Sequence, residues 1–492
     1  MNDVILEKLT SFDVEGYEPV YPRALDMGAP LPPRMGNLVK VVMGMRRSGK
    51  SYRLYQEIKA LLAAGIPLEQ ICYFNFEDDR LAPVTTEVGD QVLEAFETLH
   101  PGVLSRGVYL FLDELQEMQG WGLWLRRIVD TTKATIYVTG SSSQMLSREI
   151  STEFRGRALD FELLPFSFSE HVAAFMQGVD TVHPAMEERV ALQRELMTYL
   201  ARGGFPAAHG LPLPQSTALL QSYVERVVAR DVVERHDVGR PRVASAFARR
   251  VLATNAMPLS IRKVEGDLRA AGLGTSRELL GDLLSFFEEA YLIFCVRQFT
   301  YSLAEATTSS QKVYAIDPGL ALASARANTN ALDQRLEDCV YLELRRRVAL
   351  GRANTVSTYR TKEGNLEVDF VVGDALAQDA FGLYQVSADV SDHGTLQREL
   401  RALWRGLREA GLKEGVLITL EGREAQHEQD GMCIRQVPAW KWLLGAGHSM
   451  WCVRAWCLSR MAKGDKPQWP RHRFLECPLY QVVAAHMNRP QP

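Results

Sequence analysis

The sequence predicts an α/β chain of several domains led by a parallel sheet, and three stretches carry that expectation. The first is VVMGMRRSGKSYRLYQ from Val41, an apolar run that stops at a glycine and restarts with helical spacing after GKS. The second is VYLFLDE, a buried-strand run from Val108 to Leu112 that ends on two acids. The third is ATIYVTGSSS, another short apolar strand, ending in hydroxyls from Thr139 through Ser141 to Ser143.

Gly44, Met45, Arg46, Arg47, Ser48, Gly49, Lys50 and Ser51 fit G-x-x-x-x-G-K-[ST] without a mismatch, and LVKVVM in front supplies the strand such a loop follows. The backbone N–H groups of this turn point into one concavity, and the next helix adds the partial positive charge of its N-terminus, so together they hold phosphates. Lys50 is expected to reach the β- and γ-phosphates and Ser51 to ligate Mg²⁺. Asp113 and Glu114 stand at the C-terminal end of their strand, where ligands bind in open α/β sheets. There the first acid holds Mg²⁺ through water and the second polarises the attacking water. One hydroxyl of the third strand senses the γ-phosphate, and Ser141 is assigned to nucleotide binding. Tyr52 to Ala64 supply a helix and Ile71 to Phe76 a further strand, and the third strand is expected between the other two.

GMRRSGKS, YLFLDE with Trp124 in the next helix, VTGSSS, FRGRALDFELLPFSFSE and YLARGGFP occur in this order, and the set resembles a widespread group of prokaryotic AAA-type P-loop ATPases. The resemblance runs from about Leu38 to Leu444. It implies ATP with Mg²⁺ as ligands, and no N-K-x-D-like segment follows the third strand to read guanine. It also implies a C-terminal domain of unknown function of restriction-endonuclease-like fold. Further, it implies an arginine that stabilises the γ-phosphate, matched by Arg157 with Arg155 as the near alternative, acting in cis or from a neighbouring subunit of a homo-oligomer.

The chain has 492 residues, 46% hydrophobic and 24% charged, with a formal net charge of −4 and hence no global basic field for nucleic acid. Its seven scattered cysteines argue against a disulfide framework. No run of about eighteen apolar residues appears, and MNDVILEKLTSFDVEGYE lacks the pattern of a secretion signal, so a cytoplasmic protein without a membrane span is expected.

The expected order is an N-terminal segment (1–37), the ATPase core (38–170), a helical lid (171–240), a winged-helix-like module (241–325), a restriction-endonuclease-like domain (326–444) and a basic Trp/Cys-rich, weakly ordered extension (445–492). VERVVARDVVER in the lid reads as a solvated, salt-bridged helix face. In the winged-helix-like module, the would-be recognition helix from Ser276 sets Arg277 against Glu278, Asp282, Glu288 and Glu289, which favours packing over DNA reading, while Arg262, Lys263 and Arg269 lie nearby.

Glu337 and Asp369 occupy the positions of two metal-binding acids of a nuclease, but Gln385 and Ser387 stand where the third acid and the lysine belong, so the motif is degenerate unless a lysine such as Lys362 enters from another element. Cys452, Cys457, His472 and Cys477 match no standard zinc spacing. The leading expectation is an Mg²⁺-dependent ATPase that works as a nucleotide-driven switch on a protein partner or nucleic acid. The alternatives are an ATP-gated nuclease and a non-hydrolysing nucleotide-binding scaffold or DNA-binding regulator.

Overall fold

The computed structural model describes residues 2–141, 157–300, 311–325, 332–349, 355–374 and 379–445. Ser143, Arg155 and the extension beyond Gly445 lie outside these residues.

The first sheet has strands β1 (Val39–Met43), β2 (Ile71–Asn75), β3 (Val108–Asp113), β4 (Ala134–Gly140) and β5 (Ala158–Glu162) in the order β2-β3-β4-β1-β5, and every pairing is parallel. The strand bearing the hydroxyls, β4, does sit between the loop strand β1 and the acid strand β3. Side chains alternate across the sheet. Val39, Val41 and Met43 face one core with Leu110, Leu112 and Val138, whereas Val42 faces a second core with Phe111 and Tyr137.

Helices α1 (Asp3–Thr10), α3 (Thr86–Leu99) and α4 (Trp121–Thr131) cover the first face. Helix α2 (Lys50–Ala63) covers the second with Leu54, Tyr55, Ile58 and Leu61. The N-terminal segment wraps over α2, where Tyr17 stacks on Tyr55 and Phe12 on Tyr73. A single parallel register brings the ends of β1, β2, β3 and β4 to one level: Met43 pairs with Gly140, and Asn75 with Asp113.

After the sheet come α5 (Phe168–Phe175), α6 (Met186–Arg202) and α7 (Leu213–Val227), which runs on as a π-helix, Val228–Glu234. Helix α5 opens with a capping box between Ser167 and Glu170. The glycine pair after α6 is required by close approach. A Cβ on Gly204 would meet the Phe166 carbonyl oxygen at 2.2 Å, and one on Gly203, at φ +76°, would meet Asp317 Oδ1 at 1.8 Å.

Helices α8 (Pro241–Leu252), α9 (Ile261–Ala270) and α10 (Arg277–Glu289) follow, with the small antiparallel sheet of β6 (Met257–Pro258), β7 (Ile293–Val296) and β8 (Lys312–Ala315). Helix α10 buries Leu280, Leu283, Leu284 and Phe287. Helix α11 (Pro318–Ser324) then leads to α12 (Leu332–Ala349).

The last sheet is mixed and six-stranded, in the order β13-β14-β12-β11-β10-β9, from β9 (Thr355–Arg360), β10 (Glu367–Asp374), β11 (Asp379–Ser387), β12 (Glu414–Thr419), β13 (Ala425–Gln429) and β14 (Met432–Pro438). Helix α13 (His393–Ala410) packs Leu400, Leu403 and Leu407 on one face, against Val368, Leu383 and Leu417. Phe370, Tyr384 and Ile418, on the other, join the larger core that includes Tyr341 of α12. Among the described residues no helix is long and apolar enough to cross a membrane.

Candidate nucleotide site

The loop between β1 and α2 is shaped by what its glycines exclude. A Cβ on Gly44 would lie 2.2 Å from the Leu163 carbonyl oxygen, and Gly49 caps α2 at φ +99°. Between them Arg47 takes φ +72° and the Ser48 N–H donates to the Met45 carbonyl at 3.2 Å, closing the turn. Met45 is buried beneath it, and the buried Ser48 hydroxyl has no protein partner.

Asp113, at the end of β3, is the best-held side chain of the site. Ser51 Oγ donates to it at 2.6 Å, Tyr73 OH at 2.8 Å and Asn75 Nδ2 at 3.2 Å. Thr139 Oγ1 donates to it as well, and accepts the Glu114 N–H at 2.9 Å. Burial and the neighbouring Glu114 push the Asp113 carboxyl up. Glu114 adopts the left-handed conformation at φ +52°, a costly choice for a residue with a Cβ. That turn aims its carboxylate at Lys50 Nζ, 3.3 Å away. Burial works against the Glu114 charge, yet Lys50 and Arg46 outweigh it and hold the carboxyl below the usual range.

Ser51 and Asp113 present hydroxyl and carboxylate oxygens side by side, the donor type a hard Mg²⁺ ion takes. With the glycine cradle and the unpartnered Ser48 hydroxyl, the residues present fit a nucleotide phosphate chain with its metal.

Two residues escape a reading of the sequence, Asp231 and Arg23, and both hold the loop. Arg46 donates through Nη1 to Glu77 at 2.7 Å, through Nη2 to Glu117 at 3.1 Å and through Nε to Asp231 at 3.1 Å. Asp231 belongs to the segment expected to be a solvated face, and that expectation is corrected. Arg230 and Glu234 are indeed exposed, but Asp231 is 2% exposed and faces the loop. Its signal was present: Leu220, Val224 and Val227 form an apolar stripe, and Asp231 stands four residues beyond Val227. Ser141 Oγ also donates to Asp231, at 3.4 Å, so the assigned sensor hydroxyl and the loop meet on one carboxylate. Arg23 of the N-terminal segment donates to the Ser48 and Leu164 carbonyls at 3.0 and 2.6 Å and to Glu170 at 2.9 Å, pinning the back of the loop.

Arg157 is not in the nucleotide site of its own chain. Val39 pairs with Ala158 in the parallel register, so Arg157 sits at the N-terminal end of the sheet, about 20 Å along the strands from Gly44. Its side chain pairs with Asp130 at the surface. The cis role implied by the resemblance is thereby corrected, because a strand that opens beside Val39 opens at the end opposite the loop.

The C-terminal acids form a separate cluster. Lys312 Nζ of β8 lies 3.0 Å from Glu337, 2.7 Å from Glu367 and 3.8 Å from Asp369, and Tyr314 OH donates to Glu337 at 2.7 Å. Gln385 accepts the Asp369 N–H at 3.3 Å and donates to Glu399 at 2.8 Å. A lysine does enter from another element, and it is Lys312 instead of Lys362, whose backbone N–H is held by Glu409. Among the described residues no group of three or more His, Cys, Asp or Glu side chains is arranged to hold a metal.

Two family models match the chain, one described as an AAA domain over residues 36–172 and one as a domain of unknown function, DUF8612, over residues 193–331. The second match ends before the six-stranded sheet begins. The uncharacterized protein MJ1544 of Methanocaldococcus jannaschii is 31% identical over 418 residues, covering 83% of this chain and 88% of its own length. An uncharacterized protein of Haemophilus influenzae is 26% identical over 335 residues, covering 68% of this chain and 79% of its own. The solved Aeropyrum pernix ORC1 protein in complex with DNA aligns with a TM-score of 0.26 and 14% identity over 65% of this chain and 91% of that one, too slight a likeness to argue from. The chain belongs to one family with the Methanocaldococcus jannaschii protein MJ1544 and carries an AAA domain that contains the loop, both acids and the hydroxyl strand.

Proposed function

We propose that this chain is an ATPase that uses Mg²⁺ and works as a nucleotide-driven switch on a protein partner or nucleic acid. The observation that carries the reading is the meeting of two sequence-distant pairs: Ser51 with Asp113 at 2.6 Å, and Lys50 with Glu114 at 3.3 Å. Lys50 leaves Glu114 to bind the β- and γ-phosphate oxygens, and the freed Glu114 carboxylate, with Arg46 still a cationic neighbour, orients a water for in-line attack. Ser51 and Asp113 would hold Mg²⁺, which when bound neutralises charge on the phosphate oxygens. Arg157, far from its own loop, would act only from a neighbouring subunit.

In this reading α5 to the π-helix form the lid, α8 to β8 a winged-helix-like module, and the six-stranded sheet a restriction-endonuclease-like domain that docks a partner without cutting. Lys312 already neutralises the acids a nuclease would use for metal, which disfavours ATP-gated cleavage. A cytoplasmic location accords with the absence of a spanning helix among the described residues.

The test is ATP turnover by the purified protein beside Lys50→Ala and Glu114→Gln, with and without duplex or single-stranded DNA. Loss of turnover in both variants supports the reading, and stimulation by DNA identifies nucleic acid as the partner. Equal ATP binding by wild type and Lys50→Ala would sink it.

A further inference from the structure

Asp231 is a buried carboxylate at the mouth of the site, contributed by a stretch of π-helix outside the sheet. π-helical turns are rare and recur at functional positions. Its oxygens take Arg46 Nε at 3.1 Å, Ser141 Oγ at 3.4 Å and Arg235 at 3.4 Å. Arg46 belongs to the phosphate loop, and Ser141 directly follows Gly140, which pairs with Met43 in front of that loop. Two donors suited to a γ-phosphate therefore already serve an internal anion. The remaining guanidinium nitrogens of Arg46 are occupied by Glu77 and Glu117, so the surroundings are rich in carboxylate before any phosphate arrives.

We infer that Asp231 sets the discrimination between triphosphate and diphosphate at this site, by occupying in the γ-phosphate-free state the donors that the γ-phosphate must take. The inference rests on the nucleotide-site reading above and deepens it. A diphosphate leaves Arg46 and Ser141 on Asp231, and the π-helix stays seated on the loop. A triphosphate competes for both donors and brings like charge against a buried carboxylate, which releases the π-helix and, with it, α7 and α8 on either side. Asp231 is thus a positioning residue for the γ-phosphate donors, and the link from pocket to helices runs through it. Arg47, whose guanidinium lies 6.0 Å from the Tyr223 ring centroid of α7, steadies the same contact from the loop side.

The experiment is equilibrium binding of a non-hydrolysable ATP analogue and of ADP to the full chain, in wild type, Asp231→Asn, Asp231→Glu and Lys50→Ala, together with hydrogen exchange of residues 228–234. Asp231→Asn is expected to shift the analogue-to-ADP affinity ratio toward the analogue by about tenfold. Asp231→Glu, which keeps the charge, is expected to hold the ratio near wild type. In wild type the analogue should speed exchange in the π-helix relative to ADP. A ratio unchanged in Asp231→Asn, or equal exchange in both nucleotides, overturns the inference and leaves the nucleotide site standing. Unimpaired binding by Lys50→Ala overturns both.

Discussion

Lys50 and Glu114 face each other at 3.3 Å in a buried pocket, so the lysine proposed to bind phosphate is held by the acid proposed to orient water. The pairing has a consequence for binding. Nucleotide must separate the two, and Glu114 then stands as a negative charge beside incoming phosphates. Glu114→Gln should therefore bind ATP several-fold more tightly than wild type while turnover falls by roughly 10²–10⁴-fold. Equilibrium binding and single-turnover kinetics on one preparation check the split. A variant that binds more weakly would mean that the carboxylate helps to hold nucleotide.

The glycine pair Gly203–Gly204 ties three distant segments together. The Gly204 N–H donates to Asp317, the Gly204 carbonyl accepts the Phe166 N–H at 2.8 Å, and neither glycine leaves room for a Cβ. Gly204→Ala should destabilise the fold by roughly 1–3 kcal/mol, because the obstruction is backbone and cannot step aside. Gly266 and Gly281, exposed within α9 and α10 with nothing near a Cβ, should behave oppositely. Alanine at either is expected to add about 0.5–1 kcal/mol. Urea unfolding of the three variants separates the cases.

How far the sequence could be read depends on the range of each interaction. The loop, Asp113 and Glu114 were legible because contiguous residues carry them: apolar runs that must be strands end in phosphate-type or acidic chemistry. Asp231 was obscured because an acid on an apolar stripe, set among Arg226, Arg230 and Arg235, reads like part of a solvated ion-pair face. Arg23 escaped because two of its partners are backbone carbonyls, which no side-chain pattern records, and the third, Glu170, lies 147 residues away in sequence. Only the cis half of the Arg157 expectation fails, because the end of the sheet at which a residue lies follows from strand pairing, and the pairing of β5 with β1 is long-range.

Lys312 is the sole cation within ion-pair reach of Glu337 and Asp369 among the described residues. Burial, with each acid beside the other or beside Glu367, pushes both carboxyls up, so their charge depends on that ammonium. Lys312→Met should cost roughly 3–5 kcal/mol at neutral pH, since it leaves carboxylates buried together without a counter-charge. The loss should shrink toward pH 5, where protonation relieves the repulsion. Unfolding free energies at both pH values test this. A pH-independent loss would show that Lys312 matters by packing alone.

His209 offers the clearest acid-sensitive element. Its ring packs on Phe175 at 4.6 Å and on His171 at 4.4 Å between centroids, and its buried Nε2 has no protein partner. Burial, reinforced by the positive charge His171 can carry and by Arg202, pulls its pKa down to about 3, against the opposing pull of Glu195. A histidine whose folded value lies below its unfolded value contributes stability above the unfolded value, near 6.5, that is lost as pH falls toward about 3. The unfolded chain takes up the proton first, so acid favours unfolding. Stability of the wild type should decline from pH 6.5 downward, with a contribution from His209 on the order of 2 kcal/mol after solvent screening. His209→Phe keeps the aromatic contacts and removes the titrating group. Its unfolding midpoint should fall less steeply between pH 6.5 and 4, and parallel profiles for the two proteins would assign the acid lability to other groups.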